Sequence, residues 1–182
     1  MNYLRFIKLK FETVAVKSFK FQGYPGNKLR GAIGTAMNKL FCDEDRVHCD
    51  NCEDICVYGK VFKPVDKSLE FTTAPSPFLI EISEFDKAEI KKGENLNFSV
   101  TIFGERVIYW EDMLQAVVYS FMKGDKIFNA SFEIVKVISE MERKVIWENG
   151  KVVGVPNAAL WRDDIASEIY GYAFNDMKIK IK

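Results

Sequence analysis

The chain has 182 residues, of which 48% are hydrophobic and 29% are charged, so it can bury a core and lacks the composition of a disordered tail. It contains 26 basic and 26 acidic side chains, so its net charge indicates no class of partner. No apolar run approaches the roughly 18 to 20 residues that span a bilayer, and the lysine-rich N-terminus lacks the apolar region of a secretory signal. We therefore expect a cytoplasmic protein in a reducing compartment.

The charge is distributed unevenly along the chain. Residues 1–40 carry eight basic side chains and one acid, whereas residues 42–56 carry six acids and one base. A basic segment of this kind is typical of a surface that binds a polyanion, but a solvated strand and helix would look the same. Both interpretations stay open on charge alone.

The first part of the chain predicts a strand followed by a helix. Residues 3–12 alternate between apolar and charged side chains, which indicates a half-buried strand. After turn residues at 23–26, Asn27 is a plausible N-cap for an amphipathic helix that ends in the stretch 42–56. The apolar residues that recur at helical spacing are Leu29, Ala32, Ile33, Ala36, Met37 and Leu40.

The next elements complete a recognisable order. Strands are predicted over 78–82 and 96–102, a second helix from about Trp110 to Lys123, and a strand over 132–137. The order strand, helix, strand, strand, helix, strand is the split βαβ arrangement of an α+β, ferredoxin-like fold. This RRM-like sheet is a common RNA-binding platform, but it hosts many unrelated functions.

Beyond residue 140 the pattern changes. Residues 144–154 predict a hairpin that turns at Asn149 and Gly150, and the charged stretch 161–168 predicts a short helix. The predicted organisation is a domain over 1–140 with an inserted cysteine-rich loop at 42–56, a hairpin and connector over 141–175, and a strand over 176–182 that runs to the last residue.

All four cysteines lie within fifteen residues, at Cys42, Cys49, Cys52 and Cys56. A reducing compartment disfavours disulfides, and four thiolates this close can hold one tetrahedral zinc ion as structural sites do. The Cys49-x2-Cys52 pair has good chelating spacing, whereas the outer spacings are less usual. An iron–sulfur cluster or an empty site remains an alternative, and His48 could replace one cysteine as a ligand.

Several motifs together resemble one known family. Residues 21–34, which contain Leu-Arg-Gly-Ala-x-Gly, are followed by the cysteine cluster, Phe62, Pro77-Phe78 and residues 96–104. In this order they resemble the N-terminal half of the CRISPR-associated endoribonucleases that process precursor CRISPR RNA, within the RAMP superfamily. The similarity covers residues 1 to about 140.

The resemblance implies two tandem ferredoxin-like domains that bind repeat RNA and cut it without a metal. The 2′-hydroxyl attacks the adjacent phosphate and leaves a 2′,3′-cyclic phosphate. The family's second domain carries a glycine-rich loop that this sequence lacks, and the strand predicted over 176–182 resembles the first strand of that domain. The resemblance therefore implies a fragment that is inactive alone. Expected partners are CRISPR repeat RNA, CRISPR effector subunits and a second copy of the chain. The alternatives are a non-catalytic RAMP subunit and a structural zinc module for protein contacts.

Four cations are candidates for contacts with RNA phosphates. Lys28 and Arg30 lie in the first turns of the predicted helix, where cations and free amides together can hold an anion. Lys8 and Lys10 lie on the outer face of the first predicted strand. The alternative interpretation is a solvated helix start and strand edge.

The catalytic candidates are His48, Tyr24 and Lys39. The pKa of a histidine near neutrality suits general acid–base chemistry. His48 is the only histidine, but its place in the cysteine loop favours metal ligation or no role over catalysis. Tyr24 and Lys39 could serve instead as activator and charge stabiliser.

Two glycines lie inside the predicted helix, where each costs roughly 1 kcal/mol relative to alanine. Gly31 and Gly34 therefore indicate a close approach by a neighbour. Packing against another element is favoured over an approach by the RNA backbone.

Overall fold

The computed structural model describes residues 4–21, 23–42, 56–62, 64, 75–82, 89–122 and 131–161. The strands are β1 (Leu4–Ala15), β2 (Phe19–Lys20), β3 (Phe78–Ile82), β4 (Glu89–Ile90), β5 (Phe98–Phe103), β6 (Phe132–Ser139), β7 (Lys144–Glu148), β8 (Lys151–Val152) and β9 (Ala159–Trp161). The helices are α1 (Pro25–Phe41), α2 (Val57–Phe62) and α3 (Trp110–Met122), and a 3-10 helix at Gly104–Tyr109 precedes α3. None of the helices in these ranges is long and apolar enough to cross a membrane.

One antiparallel sheet organises the described residues. Its strand order is β3-β5-β1-β6-β7-β8, and β9 pairs with the start of β1. Strands β2 and β4 form a separate two-stranded sheet. The two units β1-α1-β3 and β5-α3-β6 give the sheet order β3-β5-β1-β6, which is the split βαβ arrangement. The predicted α+β, ferredoxin-like fold is therefore confirmed.

The core lies between the sheet and the helices. Leu9 and Phe11 of β1 are fully buried, and the ring of Phe11 stacks on Phe98 of β5 with centroids 4.9 Å apart. Phe98 also stacks on Phe121 of α3 at 5.7 Å, which joins the sheet to that helix. The period-two pattern of β1 thus places one set of side chains in the core and the alternate set on the opposite face of the sheet.

Helix α1 begins three residues earlier than the sequence predicted. Tyr24, not Asn27, is the N-cap, and Pro25 occupies the first turn. Proline suits this position because its missing N–H would have no helical partner there. The Tyr24 ring lies over Gly26, where an added Cβ would clash with Tyr24 Cε1. The assignment of Asn27 was wrong because the Pro-Gly pair was read as part of the preceding turn.

The predicted hairpin is confirmed, and it extends the main sheet beyond β6. Asn149 and Gly150 both have positive φ values, of 51° and 78°, as a type I′ turn between β7 and β8 requires. Trp161, which the sequence placed at the start of a helix, instead lies in β9 and pairs with Leu4. The rest of that predicted helix, and the predicted strand over 176–182, lie outside the described residues.

A carboxylate fastens the segment after the hairpin to the turn between β6 and β7. Glu142 accepts hydrogen bonds from the Asn157 backbone N–H at 2.8 Å, from Asn157 Nδ2 at 2.7 Å and from Ser139 Oγ at 2.9 Å. The bond from the Asn157 backbone N–H is the main reason that the pKa of Glu142 is lowered. The ionised carboxylate is therefore the form that holds this segment in place.

Candidate functional site

The face of the sheet opposite the helices carries a network of paired charges. Lys8 Nζ lies 3.0 Å from Glu81 and 3.6 Å from Glu140. The same two carboxylates accept hydrogen bonds from the Thr101 hydroxyl at 3.5 Å and the Ser99 hydroxyl at 3.0 Å. Lys8 is thus the centre of a network that joins β3, β5, β1 and the turn after β6.

The second predicted lysine of β1 is paired as well. Lys10 Nζ lies 3.7 Å from Glu12, whose carboxylate also lies 3.3 Å from Lys136 of β6. A phosphate on this face would compete with carboxylates that already pair with these cations. RNA contacts by Lys8 and Lys10 stay a prediction, and such contacts would have to replace existing ion pairs.

Arg30 has a different environment. Its Cζ lies 4.4 Å from the centre of the Phe78 ring and 5.7 Å from that of Phe62. A guanidinium over aromatic faces is attracted by the ring quadrupole. Within the described part of the chain no carboxylate pairs with Arg30, and its five N–H donors remain able to bind an anion.

Gly34, one turn after Arg30 in α1, allows the Phe62 ring to pack close to the helix. A Cβ added at Gly34 would lie 2.9 Å from Phe62 Cε1, so the glycine allows the ring to approach the helix. The packing interpretation is therefore confirmed for Gly34. Gly31 is exposed, and its role stays a prediction.

Lys28 does not share the position of Arg30. Residues two apart on an α-helix point roughly 200° apart, so the two side chains leave α1 in different directions. Lys28 is half-buried and lies on the other flank of the buried face of α1. If both cations contact RNA, we expect them to contact different phosphates.

The structure does not bring the catalytic candidates together. Tyr24 is the N-cap of α1 and is exposed, whereas Lys39 lies in the last turn of the same helix. Fifteen residues at 1.5 Å rise place them about 22 Å apart along the helix axis. These two side chains therefore cannot act on the same phosphate, and His48 lies outside the described residues.

Two of the four cysteines are described, and both lie at helix ends. The Cys42 N–H donates to the Asn38 carbonyl at the end of α1, and Cys56 Sγ accepts a hydrogen bond from the Gly59 N–H at the start of α2. Both side chains are half-buried. Helices α1 and α2 pack against each other, so both ends of the predicted cysteine loop are anchored. Cys49 and Cys52 lie outside the described residues.

The contacts of Arg30 were missed by the sequence reasoning. The rings come from α2 and β3, which are distant from Arg30 in the chain, so no local pattern reveals them. One signal was present: Tyr58 and Phe62 are four residues apart, which places them on one face of a helix. Phe62 and Phe78 also belonged to the motifs that carried the family resemblance.

Comparisons with known proteins complete these observations. A search of curated proteins finds no match. Among solved structures, the chain is similar to a chain in the crystal structure of the Csm3-Csm4 subcomplex in the type III-A CRISPR-Cas interference complex. The identity is 10%, the TM-score is 0.47, and the match covers 75% of this chain and 79% of that chain. The family model AF_1859_N, described as an N-terminal domain, matches residues 4–159. Because this match covers most of the sequence, the chain belongs to the AF_1859_N family of N-terminal domains.

Proposed function

We propose that this chain is an RNA-binding domain of the RAMP type that acts in a CRISPR system, and that Arg30 makes its principal phosphate contact. The observation that carries the proposal is the state of Arg30. It lies over two aromatic rings and has no carboxylate partner among the described residues, whereas Lys8 and Lys10 are paired with acids. The resemblance of residues 21–34 to CRISPR RNA-processing enzymes supports RNA as the polyanion.

The chemistry of the guanidinium fits this role. Its planar fork of donors matches a phosphate with two parallel hydrogen bonds. Contacts of this kind fix the position of a nucleic acid without reading its sequence. Lys28, on the other flank of α1, would bind a second phosphate. Binding is therefore expected to depend on salt and to be nearly independent of sequence.

Replacement of Arg30 tests the proposal. We expect Arg30→Ala to weaken binding of single-stranded RNA by roughly ten- to a hundredfold, since a hydrogen bond to a charged group is worth about 1.5 to 3 kcal/mol. The slope of log Kd against log salt should fall by about 0.7, which is one phosphate contact. Fluorescence anisotropy with labelled RNAs of two different sequences, at several KCl concentrations, measures both quantities.

The matched control is Arg143→Asn. It removes the same charge from the turn between β6 and β7, and asparagine tolerates the positive φ of 54° at that position. We expect this variant to bind RNA like the parent. Equal binding by Arg30→Ala and the parent would place the phosphate site elsewhere, and absence of RNA binding by the parent would contradict the proposed function.

We also propose that the protein cleaves the RNA that it binds. The resemblance supports metal-independent cleavage of repeat RNA, in which Tyr24 or Lys39 would act without the other. The alternative is a non-catalytic subunit of a CRISPR effector complex, and the separation of Tyr24 and Lys39 along α1 favours it for the described residues. Cleavage of repeat RNA in EDTA, with a 2′,3′-cyclic phosphate product, distinguishes the two roles.

We also propose a structural zinc ion bound by Cys42, Cys49, Cys52 and Cys56. The half-buried positions of Cys42 and Cys56, at the ends of two helices that pack against each other, support it. Elemental analysis of protein produced with zinc should find about one ion per chain, the stoichiometry of a four-thiolate site. Cys56→Ser should lower this content. Metal-free protein with four freely titrating thiols would contradict the proposal.

A further inference from the structure

Two rings, Phe62 of α2 and Phe78 of β3, lie against the Arg30 guanidinium, and Tyr58 of α2 stacks on Phe62. We name these three rings the aromatic cradle. The Phe62 and Phe78 centroids are 4.8 Å apart, and Tyr58 stacks on Phe62 at 5.6 Å with nearly parallel planes. Phe78 is buried in the sheet, so its position is set by the core. The other two rings depend on the placement of α2.

The structure fixes α2 at both ends. At its start, Cys56 Sγ accepts the Gly59 N–H at 3.4 Å. At its end, the Ser76 hydroxyl donates to the Phe62 carbonyl at 3.3 Å. A helix of six residues is too short to be stable by itself, so these contacts and its packing on α1 determine where its rings lie.

An arginine side chain has many rotamers in water, and binding a phosphate restricts them. A side chain that is already ordered in its bound position loses less freedom when the ligand arrives. The cradle orders Arg30 through ring faces, which leave its N–H donors available. A carboxylate partner would order the same side chain but would occupy those donors.

We propose that Phe62 is a positioning residue for phosphate binding, because it holds the Arg30 guanidinium against Phe78 with Tyr58 behind it. Phe62 itself does not touch the phosphate. The inference rests on the proposed function, since the phosphate is that of RNA. In this proposal α2 determines the orientation of Arg30 on α1.

A double-mutant cycle on RNA affinity tests this assignment. We expect Phe62→Leu to weaken binding roughly three- to tenfold, in line with the strength of a partly exposed cation–π contact. Phe62→Tyr, which keeps the ring, should bind like the parent. In an Arg30→Ala background, Phe62→Leu should have no further effect, because the side chain that it positions is absent.

Phe41→Leu is the matched control for a general loss of packing. Phe41 is also a partly buried phenylalanine packed on the core, and it lies at the far end of α1 from Arg30. We expect Phe41→Leu to lower stability without changing RNA affinity. A second readout is the Arg30 Nε–Hε resonance in a proton–nitrogen NMR spectrum, which should move in Phe62→Leu because one of the two rings against the guanidinium is removed.

The outcomes separate the two proposals. Equal losses from Phe62→Leu with and without Arg30 would show a structural effect and overturn the positioning role alone. Parent-like affinity of Phe62→Leu would overturn it as well. If the parent binds no RNA at any salt concentration, the proposed function fails and the inference fails with it.

Discussion

Replacement of Leu9 by alanine is expected to lower the free energy of unfolding by about 2 to 5 kcal/mol, the range for truncation of a buried leucine. Leu9 lies at the middle of β1, the strand that pairs with β5, β6 and β9, and its side chain has no exposed surface. Truncation removes apolar contacts and leaves a cavity that strands paired on both sides cannot easily close. Urea denaturation followed by circular dichroism measures the change.

Leu79→Ala is the matched control, because the same atoms are removed from another strand of the same sheet. Leu79 lies on β3 and is 50% exposed, on the face opposite the helices. We expect a change within about 0.5 kcal/mol, as for most surface substitutions. Similar losses for the two variants would show that β1 is not central to the core.

Gly34→Ala is expected to destabilise the protein although it removes a glycine from a helix. Alanine in place of glycine gains about 1 kcal/mol in helix propensity, whereas overpacking costs about 1 to 3 kcal/mol. The new Cβ would lie 2.9 Å from Phe62 Cε1, so the ring must move or α2 must shift. We expect a net loss of up to about 2 kcal/mol, the difference of these two effects, in the same denaturation experiment.

A second substitution identifies the cause of that loss. In a Phe62→Leu background the ring is absent, so Gly34→Ala should become neutral or stabilising. Thermal or urea denaturation of the four combinations gives the coupling between the two positions. An equal loss from Gly34→Ala with and without the Phe62 ring would show that the contact between them is not the reason for the glycine.

Local patterns in the sequence predicted most of the fold. The alternation in β1 correctly predicted that Ile7, Leu9 and Phe11 lie on its buried face, since one face of the strand packs on the core and the other does not. The Asn149-Gly150 pair predicted its turn because both positions need a positive φ. The order of elements then left few topologies to consider.

The environment of the candidate site depended on contacts between distant segments, which the sequence did not reveal. The sequence of β1 contains no partner that would predict an ion pair for Lys8. In the structure Lys8 pairs with Glu81 and Glu140, which lie far from it in the chain. In the sequence, Arg30 is one of several cations on a predicted helix. Its contacts with Phe62 of α2 and Phe78 of β3 are evident only in the structure. The contacts of each cation therefore indicate which one can bind a phosphate, whereas the net charge of residues 1–40 does not.

The pairing of β1 has a consequence for how the chain folds as it is synthesised. β1 is the first described strand to leave the ribosome, yet its partners β5, β6 and β9 all come after residue 97. β3 also pairs with β5, so no strand pair of the main sheet can form until β5 has been synthesised. During that interval the apolar side of β1 is uncovered and its backbone groups are unpaired, which favours association with other chains. Slower growth at low temperature should therefore raise the soluble yield, because fewer partly made chains are present together.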